Sequence, residues 1–478
     1  MREQPTSTNG APRPLVIDLD GTLIHSDMLW ESIVLFLKKN FLRIWQLPFW
    51  LFLGKAGFKE RLANEVELDP AALPYDKTVL DLIARARAEG RTVVLATGTQ
   101  RRFAEQIAAH LGLFDQVLGT ENGVNLTSHN KARQLCALFG ERGYDYVGNS
   151  RADLAVWLTC ENAVSVTRKP FRLADGRDTT HSGSVRGGAA GALLKAMRPR
   201  QWLKNMLVFV PMLAGHQLDL WTLQASLVAF LAFSLCASSA YLLNDALDAQ
   251  DDRVHPTKHK RPIASGALPL PLALAASPLL ALAALGLCLW YSPLLLMVVM
   301  LYFASTVAYS IYLKRLLMVD IVTLAILYSL RVLGGSAATE IAPSFWLLSF
   351  SFFIFLSLAL LKRHSELFNL HRDGKEKTRG RGYTTADKTP IGIMGVNTAF
   401  VSVLVFMLYF NSANVLDQYR TPAWLAGILP LLVFWLGRLW VLAFRGQVNE
   451  DPVLYVSKDK VSLIVIVLCL LLATLASL

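Results

Sequence analysis

Residues 239–252 read Ser-Ala-Tyr-Leu-Leu-Asn-Asp-Ala-Leu-Asp-Ala-Gln-Asp-Asp, an acidic stripe at the end of a long apolar stretch. On a helix, Asn244, Asp248 and Asp252 recur at every fourth position, and Asp245 lies one residue further round. Carboxylates on one stripe repel each other unless a cation lies between them, and Mg²⁺ also accepts substrate phosphate oxygens. The stripe therefore predicts a metal-binding site with Asp245 and Asp248 as catalytic residues, the alternative being a solvated acidic helix end.

Apolar stretches of spanning or near-spanning length lie on both sides of this stripe. The chain has 478 residues, of which 53% are hydrophobic and only 17% charged, against roughly 25% charged in soluble proteins. A single small soluble module is thereby excluded. We predict an all-α, polytopic membrane domain of about nine transmembrane helices, near residues 201–217, 220–246, 270–290, 293–313, 318–340, 343–361, 391–411, 422–444 and 461–478.

The distribution of basic residues predicts the orientation of these helices. If all nine stretches span, the connections on the side of the N-terminus hold Arg253, Lys314, the basic run from Lys362 to Lys388, and Lys458, whereas the opposite connections hold only Arg420. The N-terminus is polar and has no apolar signal core. We therefore expect an inner (cytoplasmic) membrane protein with a cytoplasmic N-terminal domain. The net charge of +11 favours anionic lipids or phosphorylated substrates over nucleic acid.

The first third of the chain has a different composition. Apolar strand-like runs at 15–20, 92–97 and 144–149 alternate with helix-like stretches at 76–89 and 101–112, which predicts a parallel α/β sheet. We predict a disordered N-terminus over 1–13, an α/β domain over 14–170 with a small helical cap over 24–85, a linker over 171–190, and the membrane domain over 191–478.

Residues 28–58 form an unusual part of the predicted cap, with three tryptophans and many leucines interrupted by Lys38, Lys39, Arg43 and Lys55. Two interpretations stay open. The segment either packs as helices on the sheet, or forms a helix pair in the membrane interface, where Trp and cationic side chains lie at headgroup level.

The strand at 15–20 ends in Asp18-Leu19-Asp20-Gly21-Thr22. Two carboxylates at the carboxyl end of such a strand face the ligand-binding crevice; one can attack phosphorus and the other can handle the leaving-group proton. The motif resembles that of the haloacid-dehalogenase (HAD) phosphatase superfamily, whose fold is a Rossmann-like parallel sheet. The resemblance implies a nucleophile at Asp18, a general acid/base at Asp20, phosphate binding by Thr97 and Lys131, and one Mg²⁺ near Asp18, Asp20, Asn149 and Asp153. Asn149 replaces the usual Asp, which should weaken the metal.

Residues 195–478 resemble the UbiA superfamily of intramembrane prenyltransferases, on the strength of the Asn244-Asp245-x-x-Asp248-x-x-x-Asp252 stripe. Such a resemblance implies one or two Mg²⁺ ions on Asn244, Asp245, Asp248 and Asp252. Typical members carry a second acidic motif, whereas the corresponding loop here begins Lys362-Arg363-His364-Ser365-Glu366 and is mainly basic. That loop disfavours an ordinary prenyl diphosphate donor and suits additional phosphate groups.

Several shorter strings are similar to those of the polyprenyl-phosphate phosphoribosyltransferase branch: 198–205, 255–262, Tyr309-Ser310 with Leu313-Lys314, and Asp320. The similarity implies phosphoribosyl pyrophosphate (PRPP) as donor and a polyprenyl phosphate lipid as acceptor. Donor phosphates are expected at Lys204, Lys258, Lys260 and Arg261, and the lipid phosphate at Lys314, Lys362 and Arg363. Further substrate-binding residues are expected to be Asn205, Tyr309, Arg331 and Glu366.

We therefore predict a bifunctional enzyme that makes a phosphoribosyl lipid and removes its 5-phosphate. The alternatives are a UbiA-type prenyltransferase with an aromatic acceptor and an accessory HAD domain, or a transporter with a regulatory soluble domain. A transporter would leave Asp18-Leu19-Asp20 unexplained, and no inverted repeat is evident. The expected partners are the lipid, PRPP and the bilayer, without nucleic acid; the oligomeric state is left open.

Overall fold

The computed structural model describes residues 12–121, 123–167, 169–182, 188–377, 381–412, 419–448 and 451–477. The predicted disordered segment 1–13 therefore lies almost wholly outside the described residues. The chain packs into two compact units. The first comprises Met1–Met197 together with Tyr241–Ala276, and the second comprises Arg198–Ala240 with Ser277–Leu478.

The first unit is built on the predicted parallel sheet. It has six strands in the order β3-β2-β1-β4-β5-β6, and every neighbouring pair is parallel. The strands are β1 (Leu15–Ile17), β2 (Val93–Gln100), β3 (Gln116–Thr120), β4 (Asp145–Gly148), β5 (Ala163–Ser165) and β6 (Thr180–His181). Strand β6 lies inside the segment predicted as a linker, where Thr180 pairs with Val164 and extends the sheet by one strand.

Helices cover both faces of this sheet, as a fully buried parallel sheet requires. Leu15 and Ile17 belong to one apolar cluster and Val16 to the other, because successive side chains of a strand alternate between faces. The helices are α1 (Met28–Asn40), α2 (Gln46–Leu51), α3 (Gly54–Glu65), α4 (Lys77–Ala88), α5 (Arg101–Leu111), α6 (Ser128–Phe139), α7 (Leu154–Thr159) and α8 (Ala189–Ala196).

The cap segment divides into two helices that pack on the sheet and one exposed helix, for which the interfacial interpretation stays a prediction. Phe36 of α1 and Phe58 of α3 are buried in the same cluster as Leu15, so these two helices pack as a cap on the sheet. Helix α2 between them has no buried residue, and Trp45 and Phe49 are exposed.

The rest of the chain is almost entirely helical. Its helices are α9 (Val210–Ala214), α10 (Leu220–Leu247), α11 (Ala249–Arg253), α12 (Leu270–Tyr291), α13 (Pro293–Ile311), α14 (Val319–Thr339), α15 (Phe345–Arg372), α16 (Lys388–Phe410), α17 (Ile428–Phe444), α18 (Pro452–Val456) and α19 (Lys460–Ser477). Within the described residues, eight helical segments are long and apolar enough to cross a membrane: α10, α12, α13, α14, α15, α19, and α16 and α17 together with the 3₁₀ turns before them (Thr385–Phe410 and Pro422–Phe444). The predicted class, an α/β domain followed by a polytopic helical membrane domain, is thus confirmed.

The described residues hold one candidate span fewer than the nine predicted. The stretch predicted near 201–217 forms a 3₁₀ helix over Pro199–Phe209 followed by the short helix α9. Pro211 cannot donate a backbone hydrogen bond, and Lys204 and Asn205 are buried where a lipid-facing helix would be apolar. This segment therefore packs among other helices instead of forming one long span.

Candidate functional site

Three neighbouring strands bring the predicted phosphatase residues to one edge of the sheet. Ile17 of β1 pairs with Leu95 of β2 on one side and with Val147 of β4 on the other. Asp18 therefore lies at the end of β1, between the part of β2 that leads to Thr97 and the end of β4, which Asn149 follows. Ligands of α/β sheets bind at this carboxyl edge.

A buried chain of hydrogen bonds starts at Asp18. Lys131 Nζ lies 2.7 Å from Asp18 Oδ1 and also donates to the Tyr146 hydroxyl over 2.8 Å. The Tyr146 hydroxyl in turn donates to Asp153 Oδ1 over 2.8 Å. The second carboxylate oxygen of Asp153 accepts from the backbone amides of Asn149 and Ser150, each over 3.0 Å. Asp153 thus holds the loop after β4 in place.

The positive and negative charges along these hydrogen bonds do not cancel. Burial raises the pKa of Asp18 to about 7; Lys131 opposes this shift, whereas the carboxylates of Asp153 and Asp20 add to it. Burial lowers the pKa of Lys131, but its acidic neighbours outweigh this and leave that pKa above its usual value. One lysine thus faces three carboxylates, an arrangement that attracts further positive charge.

Asp20 is held between the sheet and the cap. Its Oδ2 accepts a hydrogen bond from Thr99 Oγ1 over 2.8 Å, with Thr97 Oγ1 at 3.5 Å, and its Oδ1 accepts from the backbone amide of Met28 over 2.7 Å. Next to it, Gly21 has φ +72°, and a Cβ built there would lie 2.0 Å from Asn149 Nδ2. A glycine is therefore required for Asn149 to approach the motif.

Four further residues of this site escaped the sequence analysis: Lys59, Thr99, Tyr146 and Asp27. Lys59, on α3, donates to the backbone carbonyl of Gly98 over 2.6 Å and lies 3.3 Å from Asn125 Oδ1. Burial lowers the pKa of Lys59, although Asp20 and Asp27 oppose this. Thr99 could have been found from the sequence, since it follows Thr97 by two residues on the same strand. Lys59 could not, because only the packing of the cap brings it to this loop.

A divalent cation fits the phosphatase residues by charge and ligand type. Among the described residues, no group of three or more Asp, Glu, His or Cys side chains is placed to hold a metal by itself. Mg²⁺ does not require such a group, because it keeps waters and binds one or two carboxylates plus substrate phosphate. Asp18 and the amide of Asn149 offer oxygens, whereas both oxygens of Asp153 already accept protein hydrogen bonds.

The acidic stripe, which also belongs to the first unit, keeps its helical spacing. The backbone amide of Asp248 donates to the carbonyl of Asn244, and that of Asp252 to the carbonyl of Asp248, each over 2.9 Å. Asp245 and Asp252 are buried. The predicted i, i+4 arrangement therefore continues from α10 into α11.

Arg261 lies between two of the stripe's carboxylates. Its Nη1 is 3.1 Å from Asp245 Oδ1 and 2.6 Å from Asp252 Oδ2. Burial raises the pKa of Asp252, and Arg261 opposes the shift. Lys258 and Lys260 are exposed on a short helical turn nearby in sequence. The carboxylates of Asp245 and Asp252, which share the Arg261 guanidinium here, are also ligands of the oxygen type that Mg²⁺ prefers.

In the second unit, two of the predicted phosphate-binding lysines share one carboxylate. Lys204 Nζ lies 2.6 Å from Asp451 Oδ2, and Lys362 Nζ lies 3.4 Å from the same oxygen. Asp451 escaped the sequence analysis, because it follows Lys204 by more than two hundred residues and belongs to no motif. Burial raises its pKa, but Lys362 and Lys204 outweigh this and lower it below the usual value.

Arg331 is held by the protein in the interior of the second unit. Its Nε donates to Asn205 Oδ1 and its Nη2 to the Tyr302 hydroxyl, both over 2.8 Å, and its Nη1 donates to the Leu327 carbonyl over 2.5 Å. The structure thus brings together Asn205 and Arg331, two residues that were each predicted to bind substrate. Their role in binding substrate stays a prediction, since all three nitrogens already have protein acceptors.

Arg363 forms a second buried network. Its Nη2 lies 2.5 Å from Asp320 Oδ2, the Tyr383 hydroxyl donates to Asp320 Oδ1 over 2.5 Å, and Arg363 Nη1 pairs with Glu366. Tyr309 is half-buried near the end of α13, and Lys314 is half-buried in the short helical turn that follows. The predicted substrate-binding roles of these residues are not tested by these contacts.

Both halves match known protein families. The sequence model of the UbiA prenyltransferase family matches residues 206–458, more than half of the chain, and that of the haloacid dehalogenase-like hydrolases matches residues 15–156. A solved structure of a UbiA homolog from Archaeoglobus fulgidus, bound to DMAPP and Mg²⁺, covers 59% of this chain and 99% of its own, with 14% identity and a TM-score of 0.47.

Three curated relatives illustrate the range of similarity. Protein y4nM of Sinorhizobium fredii is 35% identical over 94% of this chain and 88% of its own length. Nodulation protein NoeC of Azorhizobium caulinodans is 35% identical over 57% of this chain and 89% of its own length. Decaprenyl-phosphate phosphoribosyltransferase of Mycolicibacterium smegmatis is 39% identical over 59% of this chain and 94% of its own length.

Proposed function

Since the chain belongs to the UbiA prenyltransferase family and also carries a HAD-like hydrolase domain, we propose that it is a bifunctional, membrane-embedded enzyme. Its membrane helices transfer 5-phosphoribose from PRPP to a polyprenyl phosphate. Its HAD domain then removes the 5-phosphate from the phosphoribosyl lipid.

The observation that carries this proposal is the pair of lysines on Asp451. Lys204 and Lys362 bring two positive charges to one carboxylate, which leaves a net positive charge among mostly buried side chains. A buried excess charge is costly, and an anionic ligand such as a phosphate would offset it. The Mycolicibacterium smegmatis relative, whose name states a phosphoribosyl transfer to decaprenyl phosphate, supports the same substrate class.

The transfer step follows from the charges of the two substrates. Asn244, Asp245, Asp248 and Asp252 would hold Mg²⁺, which would offset the charge of the leaving pyrophosphate. Arg261, Lys258 and Lys260 supply donors for the phosphates of PRPP. Lys204, which the sequence assigned to the donor, shares Asp451 with Lys362, so we reassign it to the lipid phosphate beside Lys362. One oxygen of the lipid phosphate attacks ribose C1. The bond between C1 and the pyrophosphate oxygen breaks, and pyrophosphate departs.

The dephosphorylation step follows from the geometry around Asp18. The Asp18 carboxylate attacks the 5-phosphate, and Asp20, held by Thr99 and the Met28 amide, protonates the departing ribose oxygen. Lys131 stabilises the negative charge that develops on the phosphoryl group, and Thr97 helps to bind it. Water then hydrolyses the phosphoaspartate, with Asp20 accepting its proton. Mg²⁺ near Asp18 and Asn149 would screen the phosphate during both steps.

The proposed setting is the inner membrane, with the HAD domain in the cytoplasm. The chain is a multi-pass membrane protein. This orientation requires the chain to cross the bilayer once before α10, through the 3₁₀ helix at Pro199–Phe209 and α9. The basic connections after α10, α13, α15 and α17 then lie on the side of the N-terminus, as the positive-inside rule favours. Tethering both activities in one chain raises the effective concentration of the second site near a product that stays in the membrane.

The test uses the full chain in detergent with Mg²⁺, PRPP and a polyprenyl phosphate, with the lipid followed by mass spectrometry. We expect wild type to yield a ribosyl lipid without the 5-phosphate. Asp18→Asn should stop at the 5-phosphoribosyl lipid, and Asp248→Asn should lower lipid product at least about a hundredfold. Asp81→Asn, which changes an exposed aspartate of α4, is the matched control and should behave as wild type.

Two outcomes would contradict the proposal. Consumption of prenyl diphosphate with an aromatic acceptor, and no product from PRPP, would place the chain with ordinary prenyltransferases. A phosphoribosyl lipid whose 5-phosphate persists in wild type would leave the transfer intact but remove the phosphatase step.

A further inference from the structure

The acidic stripe is packed against the HAD domain within the first unit. Leu247, at the end of α10, is buried in the same apolar cluster as Leu15 of β1 and Phe36 of α1. Gly266, with φ +74°, lies so close to His25 that an added Cβ would be 2.4 Å from the His25 Cβ. The segment that carries the stripe therefore rests on the phosphatase domain both within the stripe, at Leu247, and after it, at Gly266.

A buried ion pair joins these two parts. Arg253, the residue directly after Asp252, contacts Glu31 of α1 through two nitrogens, over 2.6 Å to Oε1 and 3.1 Å to Oε2. The side chains of Arg253 and Glu31 are only 7% and 1% exposed. Arg253 also donates to the carbonyl of Ala72 over 3.2 Å and to that of Ala264 over 3.1 Å. Its planar guanidinium is thus fixed from several directions.

The other end of the pair is tied to the phosphatase motif. Glu31 Oε1 accepts a hydrogen bond from the Ser26 hydroxyl over 2.5 Å, and the backbone carbonyl of Ser26 accepts from the amide of Gly21 over 2.9 Å. The amide of Met28, at the start of the same helix, donates to Asp20. A short run of contacts therefore leads from Asp20 and Gly21 through α1 to Arg253 and the end of the stripe.

We infer that Glu31 is a positioning residue for the transferase: through Arg253, helix α1 of the HAD domain sets the direction of Asp252 and its neighbours. The HAD domain is then a structural part of the metal-binding stripe in addition to its own chemistry. The inference rests on the proposed function for the role of the stripe, but the contacts that carry it do not depend on the substrate.

The first experiment measures hydrogen exchange and Mn²⁺ binding on the full chain. We expect Glu31→Gln to speed backbone exchange over residues 249–265, because the neutral amide no longer balances Arg253. Electron paramagnetic resonance measures Mn²⁺ binding, and the part of it that is lost in Asp248→Asn is assigned to the stripe. In Glu31→Gln this part should weaken about tenfold, as loss of a supporting partner does in metal sites. Lys38→Gln, which breaks the exposed ion pair between the same helix and Asp251, is the matched control and should change Mn²⁺ binding less than about twofold.

A second variant separates positioning from stability. Glu31→Leu with Arg253→Met replaces the ion pair by apolar side chains of similar size. Such a replacement of both partners is often neutral or stabilising for folding. We expect this double variant to melt like wild type yet to keep the weakened Mn²⁺ binding. Recovery of Mn²⁺ binding with stability would overturn the inference, as would unchanged exchange and binding in Glu31→Gln.

The same samples distinguish this inference from the proposed function. Exchange and Mn²⁺ binding can be measured without PRPP or lipid. If Glu31→Gln changes both as expected but wild type makes no phosphoribosyl lipid, only the substrate assignment is refuted. If wild type and Glu31→Gln make phosphoribosyl lipid equally well at limiting Mg²⁺, only the positioning role of Glu31 is refuted.

Discussion

Asp27 is a carboxylate placed between a helix end and the candidate phosphatase site. Its Oδ1 caps α1 by accepting hydrogen bonds from the amides of Leu29 and Trp30, over 2.9 and 3.4 Å. Burial, and next the charge of Asp20, raise its pKa to about 6. The folded protein therefore binds a proton at Asp27 more tightly than the unfolded chain, whose aspartates titrate near pH 4. Folding stability from this group is present at low pH and is lost as pH rises through about 6.

Asp27→Asn should therefore stabilise the folded chain at pH 8, since the amide keeps the capping oxygen and removes the charge. The expected gain is about 1–2 kcal/mol, allowing for the partial exposure of the side chain. It should shrink as the pH is lowered from 6 to 4. The measurement is thermal unfolding in detergent with a metal chelator. Asp69→Asn, an exposed aspartate that caps the short helix at Pro70–Ala72, is the control, and an equal, pH-dependent gain there would refute the explanation.

Lys59 supports a second prediction at this scale. Its ammonium contacts the carbonyl of Gly98, between Thr97 and Thr99, so it lies where a bound phosphate is expected. Lys59→Met should lower the kcat/KM of lipid dephosphorylation about tenfold or more, while formation of the phosphoribosyl lipid stays unchanged. Lys77→Met, at the exposed start of α4, should have no effect on either step. Equal losses in both lysine variants would assign the effect to surface charge.

The phosphatase residues show what a sequence can and cannot reveal about a site. Asp18 was predictable because it follows directly on the buried strand β1, so a local pattern places it and the nearby Asp20 at the sheet edge. Thr97 lies inside β2, and its role was assigned through the family resemblance. Lys131 was predictable only through the family resemblance. Lys59 and Tyr146 escaped, because their positions depend on how the cap and β4 pack, which no local spacing records.

At the scale of elements, a buried network joins α14, α15 and the chain after α15. Asp320 and Arg363 are 0% and 1% exposed, and Tyr383 donates to the same carboxylate. Removing one partner of such a pair leaves a charge without compensation in the protein interior.

Asp320→Ala should therefore lower the free energy of unfolding by about 3 kcal/mol, with Arg363 left with Glu366 as its remaining acidic contact. The partly exposed pair between Arg438 and Asp459 provides the control, and Arg438→Met should cost about 1 kcal/mol or less. Thermal unfolding in detergent measures both. Similar losses in the two variants would mean that burial of the first pair adds nothing to stability.

The number of membrane helices was predictable except at one element. Long apolar runs such as Leu270–Tyr291 become helices wherever the chain enters a membrane, because every backbone polar group must bond internally. Hydropathy alone therefore predicted a transmembrane helix at 201–217 too. Lys204 and Asn205 are polar residues held by partners distant in sequence, and those partners decide whether such a segment can span.

At the scale of the molecule, composition and packing divide the chain differently. Composition changes near residue 190, which predicts a domain boundary there. Packing assigns Tyr241–Ala276 to the first unit as well, because Leu247, Arg253 and Gly266 contact the HAD domain. Such contacts join residues more than two hundred positions apart, so they leave no trace in local composition.

The surface of the first unit carries an apolar patch around α2. Trp45, Phe49, Phe52 and Leu53 are 61%, 63%, 87% and 60% exposed, and Lys55 follows them. Contiguous exposed apolar side chains of this size are rare on soluble surfaces, and aromatic residues beside cations are typical of the membrane interface. Because the same chain crosses the bilayer, lipid is the partner within reach, and we predict that this α2 patch lies in the interfacial layer of the membrane.

The prediction is tested in lipid nanodiscs with an environment-sensitive fluorophore on Phe52→Cys, in a background where the half-buried Cys136 and Cys469 are replaced by Ser. The emission should shift to the blue relative to Glu89→Cys, an exposed position after α4, and lipids carrying a quencher near the headgroup should quench it. Trp45→Glu with Phe49→Glu should abolish the shift, because a charge in the interface is costly. It should also slow dephosphorylation of the lipid but not of a soluble phosphate ester, since only the lipid requires the domain to work at the membrane. Identical emission and quenching at positions 52 and 89 would mean that the patch faces water or another protein.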